Sequence, residues 1–135
     1  MVARTPAPRD PGSMIDHVSL QVTDVPTSKA FYETVLAPLG ISAEATDGPA
    51  VGFFGSEPGS FWLSPAQRGP DRELHVAFRA ADRDSVQAFH RAAVSIGAEV
   101  LHAPRVFPEY HEHYYGAFLR DPDGHNIEAV CHSPG

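Results

Sequence analysis

The sequence predicts an α+β fold of two βαβββ modules with pseudo-twofold symmetry. Three observations carry this expectation. The chain repeats itself at a constant offset, each copy opens with a period-two strand followed by a helical stretch, and each closes with short apolar runs cut by Gly and Pro. Asp16-His17-Val18-Ser19-Leu20-Gln21-Val22-Thr23-Asp24 lines up with Leu74-His75-Val76-Ala77-Phe78-Arg79-Ala80-Ala81-Asp82, and Ala30-Phe31 falls on Ala88-Phe89 at the same offset. Gly52-Phe53-Phe54, followed by Pro58-Gly59, answers Gly116-Ala117-Phe118, followed by Pro122-Asp123-Gly124. Two copies are too few for a solenoid, which leaves a symmetric pair of modules.

In the first module the stretch 17–22 alternates and is rich in Val and Leu, as a half-buried strand requires. Asp24 then stands as a helix N-cap with Pro26 in the first turn. Phe31, Val35 and Leu36 recur at helical spacing and should pack on the sheet, and Gly40 ends the helix. Three strands are expected at 41–45, 50–54 and 60–64. The second module predicts a strand at 74–79, a helix at 85–96 and strands at 99–103, 114–120 and 126–131. Asp121-Pro122-Asp123-Gly124 marks a hairpin turn between the last two.

Residues 14–135 then form one domain, with module one at about 14–68 and module two at about 72–132, after a disordered leader at 1–13 that holds three prolines and no apolar segment. The chain has 17 acidic and 10 basic residues and a formal charge of −7, which argues against a nucleic-acid or anionic-membrane partner. No apolar run is long enough to span a bilayer. The single cysteine, Cys131, cannot close an intrachain disulfide, so a reducing cytoplasmic setting is expected.

Eight histidines in so short a chain direct attention to metal chemistry. A lone histidine on a strand is more often a core or surface residue than a ligand. Here His17 and His75 occupy matched positions in the first strands of two related modules, where symmetry brings equivalent inward positions together. Glu128 sits in the last strand, with Ile127 and Ala129 facing the other side. Two imidazoles and one carboxylate suit Fe, Mn, Zn, Ni or Co. Counting four residues on from Gly59, as Glu128 follows Gly124, places Leu63 at the symmetric fourth position. Leucine cannot ligate, so coordination sites stay open, the pattern of a catalytic ion.

Ile15-Asp16-His17-Val18, Glu73-Leu74-His75-Val76-Ala77-Phe78 and Asp121-Pro122-Asp123-Gly124-His125-Asn126-Ile127-Glu128 resemble the motifs of the vicinal oxygen chelate superfamily, which joins glyoxalase I, bleomycin-resistance proteins, fosfomycin-resistance transferases and extradiol dioxygenases. The resemblance runs from Met14 to His132. It implies a curved mixed sheet forming a cup around a metal site, a substrate held there on one divalent metal through two neighbouring oxygens, in lyase, isomerase or dioxygenase chemistry, and a homodimer with sites between paired modules. Leu63 departs from the four-ligand pattern of glyoxalase I. The intact triad departs from the bleomycin-binding members, whose non-enzymatic sequestration of a small molecule is the alternative function. The segment Arg105-Val106-Phe107-Pro108-Glu109-Tyr110-His111-Glu112-His113-Tyr114-Tyr115 precedes a cup strand. Tyr115, His111 and His113 are its candidate acid–base residues, and Trp62, Phe53 and Phe61 candidate wall residues.

Overall fold

The computed structural model describes residues 15–66 and 73–135, so the expected leader lies outside the described residues. The order is β1 (His17–Val22), α1 (Val25–Leu36), β2 (Ser42–Asp47), β3 (Ala50–Phe54), β4 (Ser60–Pro65), β5 (His75–Arg79), α2 (Arg83–Ser95), β6 (Val100–Val106), β7 (Tyr115–Arg120) and β8 (Asn126–Cys131). Every expected element is present. The largest shift is β6, which runs three residues past its expected end, through two register irregularities against β7.

The strands form two four-stranded sheets with the same order, β1-β4-β3-β2 and β5-β8-β7-β6. In each, the first strand runs parallel to the last and the other pairs are antiparallel. Helix α1 begins where Asp24 accepts from the Thr27 amide, and α2 where Asp82 accepts from the Ser85 amide and hydroxyl. Leu36 hands α1 to a 3-10 turn, Ala37–Leu39, before Gly40.

Alternation assigns each strand a core face and an outer face. Leu20, Val22, Phe53, Phe61 and Leu63 from one sheet and Leu119, Ile127 and Ala129 from the other join a single buried cluster with both helices. Phe61 meets Phe78 edge-on at 5.1 Å across the modules. The turn before β8 adds a polar tie. Asp121 accepts from Tyr32 of α1 at 2.6 Å, and Asp123 accepts from the Thr23 amide and hydroxyl and from Ser28.

The register corrects one equivalence. His17 pairs with Ser60 and Ser19 with Trp62, whereas His75 pairs with Asn126 and Ala77 with Glu128. The counterpart of Glu128 is therefore Trp62, not Leu63, and that of Phe118 is Gly52, which Gly116 had been matched to. The cause is one residue of turn length: Ser60 follows Gly59 directly, while His125 intervenes between Gly124 and Asn126. Leu63 is fully buried on the core face. The fourth position still lacks a ligating group.

Candidate metal centre

On the outer face of the second sheet, β5 and β8 bring His75 and Glu128 together, with His75 Nε2 2.9 Å from Glu128 Oε1. Glu128 is 1% exposed, and His75 is its ion-pair partner; no lysine or arginine approaches it among the described residues. A buried carboxylate so lightly compensated is an electrostatic opening for a cation. Its second oxygen accepts a hydrogen bond from the Tyr114 hydroxyl. Burial, and then the carboxylate beside it, push that hydroxyl above the ordinary phenol range, so Tyr114 stays a donor at neutral pH. Gly116 makes the space: a Cβ there would stand 3.2 Å from Glu128 Oε2 and 3.5 Å from the Tyr114 ring.

His17 stands on the outer face of the first sheet, exposed, with its Nδ1 2.9 Å from Asp16 Oδ1. A carboxylate on Nδ1 leaves the other ring nitrogen, Nε2, free to ligate. Within one chain these groups do not meet: among the described residues no three His, Cys, Asp or Glu side chains gather into a metal cluster. The structure thus joins His75 to Glu128 and leaves His17 apart. The donor types still fit a divalent ion, because imidazole nitrogens and a buried carboxylate are its usual protein ligands.

The acid–base candidates are dispersed differently from the expectation. Tyr115 pairs with Cys131 on the core face, where its hydroxyl meets Gln87 and Arg83 lies over its ring at 4.8 Å. The hydroxyl that reaches Glu128 belongs to Tyr114, one residue earlier. His111 turns to His132, Nε2 to Nδ1 at 2.8 Å, and accepts the His113 amide on its Nδ1. Its ring stands edge-on to Tyr114 at 5.5 Å. His113 is exposed beside Glu112. A signal for Tyr114 was present in the sequence: Tyr115, Ala117 and Leu119 share the apolar parity of β7, so Tyr114 shares that of Gly116 and Phe118. Of the expected wall residues, Phe53 and Phe61 are core and Trp62 alone faces outward.

The family model described as the Glyoxalase/Bleomycin resistance protein/Dioxygenase superfamily matches residues 14–129. Among solved structures, a glyoxalase/bleomycin resistance protein from Albidiferax ferrireducens is 28% identical, with a TM-score of 0.77 over 88% of this chain and 99% of its own. A lactoylglutathione lyase from Agrobacterium tumefaciens is 22% identical at a TM-score of 0.64, covering 90% of this chain and 96% of its own. A glyoxalase/dioxygenase from Nostoc punctiforme is 21% identical at 0.68, covering 99% and 100%. No curated protein gives a significant match.

Proposed function

Since the chain belongs to the Glyoxalase/Bleomycin resistance protein/Dioxygenase superfamily, we propose that it is a divalent-metal-dependent enzyme acting on a small substrate with two vicinal oxygens, by lyase, isomerase or dioxygenase chemistry. The observation that supports this most is the His75–Glu128 pair, a buried carboxylate with an imidazole at 2.9 Å and, among the described residues, no lysine or arginine paired with it.

In this reading His75 Nε2 and Glu128 Oε1 are two donors to the ion, and His17 Nε2 of a second copy is the third. A homodimer is therefore part of the proposal, because one chain does not bring His17 to the other two. When bound, the ion supplies Lewis-acid polarisation of paired substrate oxygens. The chain's own groups do the rest. Asp16 holds the His17 ring in the tautomer that presents Nε2. Tyr114 donates to Glu128 Oε2, fixing the carboxylate's rotation and leaving Oε1 for ligation. Trp62 stands where a fourth ligand would be and cannot ligate, which keeps positions open for substrate.

Metal analysis of the purified protein tests this. Wild type is expected to hold about one divalent ion per chain, and His75→Ala to lose most of it. Full occupancy in His75→Ala would reject the site. Ligand capture that survives chelation, in protein purified without metal, would favour the non-enzymatic binding role instead.

A further inference from the structure

Trp62 takes the position of Glu128 in the first sheet, and its surroundings are built for one purpose. Phe61 and Leu63 on either side of it are buried, so the indole is turned to the outer face with His17, Ser19 and Ser60. Opposite it in β3 is Gly52, where a Cβ would fall 2.7 Å from the indole ring. The missing side chain gives the ring a flat bed against the backbone. Phe54 supports it edge-on at 6.1 Å, and Ser60 Oγ accepts the indole N–H at 2.9 Å. The ring is therefore fixed in plane, with its one hydrogen-bond donor used, and what it offers a ligand is a π face.

That face and His17 line the same open groove of about 420 Å³. Asp16 and Asp47 line it too, and the four strands of this sheet contain no lysine or arginine. A substrate on an ion held at His17 would lie against the indole; the ion's charge acts on the chelating oxygens, while the Asp16 and Asp47 carboxylates lining the groove disfavour further negative charge on the part that stacks.

The geometry points to Trp62 as the specificity-determining residue: a stacking platform that selects substrates whose vicinal oxygens are carried on a flat, uncharged aromatic system, over aliphatic or anionic ones. This rests on the metal reading above and names its substrate class. Offset stacking on a fixed indole adds affinity beyond the area it covers.

The test uses matched chelators on the metal-loaded protein. Benzohydroxamate and acetohydroxamate present the same two oxygens and differ in phenyl against methyl; 4-carboxybenzohydroxamate adds a negative charge. Calorimetry should give benzohydroxamate the tightest binding of the three, and Trp62→Leu should shrink its advantage over acetohydroxamate about tenfold. Trp62→Phe should keep most of that advantage, at unchanged metal content. Because Trp62 is the chain's only tryptophan, quenching of its emission by benzohydroxamate reads the contact in the unmutated protein. Equal preference for the two uncharged hydroxamates in wild type and Trp62→Leu, or emission unmoved by bound benzohydroxamate, overturns the platform. Binding as tight for the carboxylated compound overturns the charge selection. Phenyl preference that persists after chelation overturns the metal reading and leaves the platform standing, and failure of all three to bind loaded protein overturns both.

Discussion

Glu128 is the residue at which the proposed site and the fold make opposite demands. Its carboxylate is almost without solvent, and among the described residues the side chains that stand against it are an imidazole and a phenol. Glu128→Gln keeps the shape and removes the charge. Metal affinity should drop about 100-fold or more, measured by competition with a chromophoric chelator, while the melting temperature of the metal-free protein should stay level or rise. A fall in both would mean the carboxylate serves the fold. Tyr32 gives a second test. Burial, then Asp121, hold its hydroxyl far above the ordinary value of 10.0. The folded state thus favours the protonated phenol: this stability is intact below pH 10 and is lost as pH rises beyond it. Urea midpoints of wild type should fall from pH 10 upward, and those of Tyr32→Phe should fall less. Near pH 7 the variant should be weaker by about 1–3 kcal/mol, because Asp121 Oδ2 loses its donor. That His75 and Glu128 stand together was legible through repeat position and donor chemistry. That Tyr114 and not Tyr115 shares the face of Glu128 turns on a parity of one, readable from Ala117 and Leu119.

At the scale of elements, the turn between β7 and β8 is a brace. Asp123 takes the Thr23 amide, the Thr23 hydroxyl and the Ser28 hydroxyl, tying the β1–α1 junction of one module to the other module. Asp123→Ala should cost about 1–3 kcal/mol in chemical denaturation while leaving metal affinity within a factor of about two. Loss of metal without loss of stability would relocate the turn to the site. The element order was legible because period-two strands, Asp24 and Asp82 caps and Gly–Pro punctuation all agreed. Register was less so. Counting from Gly59 and Gly124 led to Leu63, since a turn longer by His125 shifts every later partner by one and puts the next side chain on the opposite face.

For the whole molecule, two similar sheets share one core but present their outer-face histidines separately. Symmetry in the sequence showed that His17 and His75 are equivalents; it could not show whether they meet within a chain or between chains, because that depends on a rigid-body placement that no local pattern encodes. A site completed by a partner can be rescued in trans, whereas a site within one chain cannot. The decisive measurement is metal content after His17→Ala and His75→Ala proteins, each metal-poor alone, are unfolded together in equal amounts and refolded. Random pairing should restore about a quarter of wild-type occupancy, since about half the dimers are mixed and each mixed dimer has one intact site of two. A refolded, dimeric mixture that stays as metal-poor as its parents would contradict the shared site.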